Sequence, residues 1–191
     1  HAARMLARQR TDTLGVILPD INSPFDDQVL AGIDQVADES RYHMLIAFTH
    51  GGRDARTLLR RFAEERRVDA VVYMSTSVGV DASLREVTRS GLPLVVMDRP
   101  VSGFPSVVMD NEQGARLVVQ HLLAHGRKRI AFLRGPESNY DAARRLAGAK
   151  AALAEAGQAL PDELCWAGDF REESGAAAVQ AWADTGKPWP D

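Results

Sequence analysis

Short, nearly continuous apolar runs alternate along the chain with longer segments whose apolar residues recur at helical spacing. The runs are 13–18 (TLGVIL), 43–48 (HMLIAF), 69–74 (DAVVYM), 94–98 (LVVMD), 106–109 (SVVM) and 129–134 (RIAFLR). Runs of this kind, flanked by helix-like stretches, are how strands buried on both faces of a parallel sheet read. The intervening pattern predicts a helix over 24–40, with Pro24 in its first turn and Phe25, Val29, Ile33 and Val36 as its apolar positions. A second helix is predicted over 53–66, with Leu58, Leu59 and Phe62 inward and Arg56, Arg60 and Glu64 outward. Helices over 111–125 and 141–156 each run into a glycine, Gly126 and Gly157, where a left-handed cap is expected. A last helix is predicted over 174–185. The order is βαβαβαβ, then two strands with no helix between them, then αβα, which predicts a doubly wound α/β architecture.

The interruption in that rhythm carries information. Only the loop RPVSGFP separates the strand ending at Asp98 from the strand starting at Ser106. Parallel neighbours need a crossover of a dozen or more residues. The second strand is therefore expected either to pair antiparallel or, the preferred reading, to carry the chain into a second sheet. The lobes divide accordingly into 12–109 and 110–191, preceded by a linker over 1–11.

Composition narrows the function classes. The chain has 191 residues, 45% hydrophobic and 26% charged, and a net charge of -3, which argues against a surface that binds nucleic acid everywhere. Its single cysteine, Cys165, cannot form an internal disulfide and fits a reducing, cytoplasmic setting. No apolar run approaches the roughly 20 residues that span a bilayer, and the opening residues lack a signal-peptide core.

Enzymatic signatures do not stand out. There is no GxGxxG, P-loop, HExxH or GxSxG. His121 and His125 lie one turn apart without a glutamate in the motif position, and Cys165 has no nucleophile context. Adjacent carboxylates such as Asp26–Asp27 and Glu64–Glu65 point apart on a helix. Neither catalysis nor a cofactor or metal is expected. Three places remain as binding candidates. The loop PDINSPF after the first strand lies where open α/β sheets bind ligands. Asp98–Arg99 ends the fourth strand with an acceptor and a donor fork suited to vicinal hydroxyls, and equally suits a surface ion pair. Arg144–Arg145, near the start of a helix, fits either a cleft or a solvated face.

Taken in order, ARMLARQRTDTLGVILPDINSPF, AGIDQVADESRYHMLIA, ERRVDAVVYM, GLPLVVMDRPV, SVVMDNEQGARLVVQHLLAHGRKRIAFLRGP and RRLAGAKAALAEAG resemble the LacI/GalR family of bacterial transcription regulators. The resemblance covers nearly the whole chain and rests on six segments in matching order and spacing. It implies a type I periplasmic-binding-protein-like core of two lobes with a cleft for a small, sugar-like effector, and a homodimer formed near Val29, Ile33 and the 53–66 helix. It also implies a helix-turn-helix headpiece before His1, an operator DNA partner, and a second lobe that continues past Asp191. Leu6 matches the residue that wedges into the minor groove from a hinge helix. Arg4, Arg8 and Arg10, with no nearby acid, make a basic element able to meet phosphates. Phe25 matches an aromatic that packs on a sugar ring, whereas Asp26 stands where some relatives carry a second aromatic. Asp98 and Arg99 match a hydroxyl-binding pair, Arg145 a ligand arginine of the second lobe, and Phe170 an aromatic of the pocket wall. The alternatives are a transport-type sugar-binding protein and the same sensor core fused to a signalling enzyme.

Overall fold

The computed structural model describes residues 10–19, 24–49, 55–74, 84–85, 89 and 91–191. It divides into two compact units, His1–Val108 and Met109–Asp191.

The first unit is built on β1 (Thr13–Leu18), α1 (Pro24–Glu39), β2 (His43–Phe48), α2 (Ala55–Glu64), β3 (Ala70–Met74), β4 (Leu94–Met97) and β5 (Ser106–Val107). Its five strands are all parallel, in the order β2-β1-β3-β4-β5. Successive residues of a strand face opposite sides of the sheet, and β1 uses both. Ile17 joins Leu58, Leu59 and Phe62 of α2 with Val71, Tyr73, Leu94 and Val96. Val16 and Leu18 join Leu30 of α1 with Met74. Apolar residues on both faces are what made these strands read as continuous runs. Each large side chain so buried contributes about 1.5–3 kcal/mol. Gly15 lies on the α2 side, where a Cβ would come within 2.8 Å of the Phe62 ring.

The inner face of α1 is formed by Leu30 and Ala37, with Val29 and Ile33 packed partly against the core. Phe25 and Val36, also apolar and at helical spacing, stay 43% and 61% exposed. One expectation needs correction, and it concerns β5. It pairs parallel with β4 in the same sheet, with Val96 opposite Ser106 and Met97 opposite Val107, so it is neither antiparallel nor in a second sheet. The usual minimum crossover length assumes a return along a whole strand, but β5 runs back beside only the last two residues of β4. The chain makes that return with left-handed Asp98 (φ 75) and Gly103 (φ 89) and a turn from Phe104 N to Val101 O. Ser106 Oγ accepts from Val101 N and donates to Phe104 O, while Val101 is buried in the core.

The second unit contains α3 (Asn111–Ala124), β6 (Phe132–Arg134), α4 (Tyr140–Glu155), a short 3-10 turn at Asp162–Leu164, β7 (Cys165–Ala167) and α5 (Glu172–Asp184). β6 and β7 pair in parallel. β6 is half the length expected because its three-residue partner leaves no ladder for residues 129–131. Val119 of α3 and Ala149, Ala152 and Leu153 of α4 close over Ile130. Gly126 and Gly157 take the expected left-handed caps, with φ of 76 and 69. The two helices approach so closely that a Cβ at Gly148 would overlap the Glu112 carbonyl oxygen. Among the described residues no helix is long and apolar enough to cross a membrane.

Candidate functional site

In the first unit all strands are parallel, so their carboxyl ends share one edge. The strand order reverses at β1–β3, and ligands of open α/β sheets bind outside the carboxyl ends at such a reversal. Phe25 and Asp26 occupy the first turn of α1, which follows β1, with Phe25 exposed and Asp26 half-buried. Asp98 and Arg99 follow β4 on the same edge. Asp98 is half-buried and left-handed, and its amide donates to Val107 O at 3.0 Å. Arg99 is 4% exposed, so Asp98 is the more accessible member of the pair.

In the second unit the carboxyl ends of β6 and β7 lead into Gly135 and Phe170, respectively. Phe170 is 57% exposed with φ 68, a conformation that a bulky residue rarely adopts and that costs of order 1–3 kcal/mol. Its ring lies against Gly135, where any Cβ would collide with it. The Arg145 guanidinium stands 5.7 Å from the centroid of the same ring.

Arg145 is held from the other side as well. Asn139 caps α4 by accepting from Ala142 N at 2.9 Å, which sets Asp141 and Arg145 one turn apart on the face that also carries Gly148. Asp110 caps α3 by accepting from Gln113 N at 3.0 Å, which places Asn111 in that helix's first turn. Arg145 Nε donates to Asn111 Oδ1 at 2.6 Å, and Asn111 Nδ2 donates to Asp141 Oδ1 at 2.8 Å. Asn111 and Asp141 are 9% and 6% exposed. A buried chain of this kind fixes the rotamer of its last member, here an arginine. The neighbouring Arg144 is exposed and pairs with Glu112, so the two adjacent arginines have different surroundings. Asn111 and Asp141 were missed from sequence, where both read as ordinary first-turn polar residues. The available signal was position: Asp141 precedes Gly148 by two helical turns and so shares its inner face.

Burial pushes the Asp141 carboxyl above the usual carboxylate range, against the pull of Arg145 and Asn111. A raised folded-state pKa stabilises the fold fully only below the unfolded value, and that contribution is lost as pH rises through the folded value. Asp141→Asn keeps an oxygen for Asn111 and removes the buried charge. It is therefore expected to raise stability at neutral pH, with the gain over wild type shrinking as pH falls toward 3.8. Urea unfolding at several pH values checks this; a gain that grows on acidification contradicts it.

The rings of His121 and His125 meet at a tilt of 42° with centroids 4.3 Å apart, and His125 Nδ1 lies 2.9 Å from His121 O. Among the described residues no three potential metal ligands come together. Arg10, read as free of nearby acids, is in fact tied to the core: its Nε lies 3.7 Å from Asp12 and 3.8 Å from Asp69. Leu6, Arg4 and Arg8 lie outside the described residues.

Residues 11–191 match the sequence profile of periplasmic binding proteins and the sugar binding domain of the LacI family. The chain belongs to the LacI family. Among LacI-family relatives, it is 33% identical to catabolite control protein A of Priestia megaterium over 93% of its length and 54% of the relative's. It is 30% identical to the transcriptional regulator GalR of Escherichia coli (strain K12), over 93% and 52%. The chain thus spans about half the length of the curated relatives it matches. Among solved structures it resembles the Cra transcriptional dual regulator of Pseudomonas putida in complex with fructose 1-phosphate. That match has a TM-score of 0.81 and 28% identity, and covers 95% of this chain and 67% of that one. It also resembles a complex of the transcriptional regulator CelR with cellobiose, with a TM-score of 0.74 and 27% identity over 95% and 60%. The match agrees with the periplasmic-binding-protein-like fold that the family resemblance implies.

Proposed function

We propose that this chain, with lobes 12–109 and 110–191, is the effector-sensing core of a LacI-type transcription regulator, and that its binding of a sugar-like molecule changes the affinity of a homodimer for operator DNA. The observation that carries the reading is Arg145, held by Asn111 and Asp141 beside the half-exposed ring of Phe170. An aromatic face with an oriented guanidinium suits a ligand with an apolar ring face and polar edges. Asp98, at the carboxyl edge of the first unit's sheet, supplies a carboxylate for hydroxyls, with the buried Arg99 next to it in sequence and Phe25 and Asp26 on the same edge. The structural relatives hold cellobiose and fructose 1-phosphate, which supports a carbohydrate or sugar phosphate as the ligand class.

The mechanism is a population shift. A ligand that favours one lobe arrangement depletes the other, and a coupling of about 1–3 kcal/mol changes DNA affinity roughly 5- to 150-fold. In this reading Leu6 is the minor-groove wedge, and Arg4 and Arg8 meet DNA phosphates. Calorimetry of the full-length protein against a panel of sugars, sugar phosphates and nucleosides tests the ligand class. Binding only to a nucleobase or an amino acid would remove the sugar reading. Leu6→Ala in that protein is expected to weaken binding to a duplex selected from random-sequence DNA, while effector affinity stays nearly constant. Equal loss in both assays would place Leu6 in support of the core instead.

A further inference from the structure

The three residues upstream of the sheet are gripped from two sides. Asp69, just before β3, accepts at Oδ1 from Thr11 N at 2.7 Å and from Thr11 Oγ1 at 2.9 Å. Its Oδ2 accepts from Asp12 N at 3.0 Å and faces Arg10 Nε at 3.8 Å. On the other side of β1, at the start of β2, His43 N donates to Asp12 O at 2.8 Å. Tyr42 accepts from Arg10 at its hydroxyl, and its ring lies under the Arg10 guanidinium at 5.6 Å. Asp12 is bent into the left-handed region, φ 48.

The bonds to the Asp69 carboxylate are not ladder bonds. The β1 ladder begins at Thr13, whereas the Asp69 carboxylate binds residues 10–12, which precede it. Those bonds order a short piece of chain that would otherwise leave the sheet as a free end. We propose that Asp69 is a positioning residue: its carboxylate clamps Arg10–Asp12 and so fixes where the basic N-terminal element leaves the core toward DNA. The proposal rests on the operator-binding reading above, because only that reading gives the direction of the emerging chain a function. The clamp ties Arg10–Asp12 to the core's edge. Without it, these residues must be ordered each time DNA binds.

Ordering one backbone residue corresponds to about a 5- to 30-fold change in an equilibrium constant. In the full-length protein, Asp69→Ala is therefore expected to weaken binding to the selected duplex by at least that factor. Affinity for the best-bound sugar of the panel should stay within about two-fold. Asp69→Asn keeps one acceptor oxygen and should fall between wild type and alanine. Thr11→Val, which alters neither strand nor core, should shift DNA binding in the same direction and guards against misfolding of the Asp69 variants. Hydrogen exchange adds a readout independent of DNA: the Thr11 and Asp12 amides should be protected in wild type and lose protection in Asp69→Ala. DNA affinity unchanged in the folded Asp69→Ala and Thr11→Val proteins overturns the proposal, as does equal loss of sugar and DNA binding. If the wild type binds no DNA, the regulator reading fails on its own account. In that case the clamp is still decided by exchange, and fast-exchanging Thr11 and Asp12 amides in wild type overturn it.

Discussion

Arg145→Ala in the full-length protein is expected to weaken effector binding roughly 10- to 150-fold with the fold retained. A polar ligand leaves water only when its oxygens find oriented partners, and a hydrogen bond to a charged group contributes about 1.5–3 kcal/mol. The guanidinium is half-buried and already aimed by Asn111, so little ordering remains to oppose binding. Arg145→Lys should rescue poorly, because an ammonium offers neither the planar fork nor the same stacking on Phe170. Asp98→Ala should behave like Arg145→Ala, whereas Arg144→Ala, which removes an exposed pairing with Glu112, should leave affinity near wild type. Calorimetry of the four proteins against the best-bound sugar of the panel separates these outcomes. Wild-type affinity in Arg145→Ala removes that residue from the site.

The largest expected stability loss comes from Gly148→Ala. The added Cβ would lie 2.0 Å from the Glu112 carbonyl oxygen, which is main chain and cannot rotate aside. α3 and α4 must separate, opening the layer of Val119, Ala149, Ala152 and Leu153. Overpacking of this kind costs typically 1–3 kcal/mol, and about 3 or more is expected where the obstacle is backbone. Gly114→Ala is the control: it lies in α3 with nothing near its would-be Cβ, so it should stabilise by roughly 0.5–1 kcal/mol. Urea midpoints of the two variants should move in opposite directions. A Gly148→Ala protein with an unchanged midpoint contradicts the close approach.

How far the sequence was legible followed from how much each element depends on local pattern. β1, bounded by polar residues and apolar on both faces, was placed to the residue, as was β2. α1 was placed to within a residue, but its apolar spacing alone does not say that Leu30 and Ala37 are buried while Phe25 and Val36 are exposed, because burial depends on where the helix meets the sheet. β5 was assigned the wrong partner because a rule about loop length stood in for the geometry of a two-residue return. β7, three residues long, is too short to show a period. The charged candidates Asp98 and Arg145 were visible as chemistry at the ends of elements. Asn111 and Asp141 were not, because a buried polar pair is defined by a neighbour 30 residues away, which no local pattern records.

The order of strands in the first unit bears on how the chain is made. β1 lies inside the sheet, flanked by the next two strands to be synthesised, and β4 and β5 then add outward from β3 in the order of translation. Among the described residues nothing must be inserted between strands already joined after β3 has docked, and their pairings in this sheet all lie within residues 13–107. Domains emerge from the ribosome amino end first and generally fold as units. The sheet that presents Asp98 can therefore be assembled by simple outward growth, before the residues that carry Arg145 have been translated.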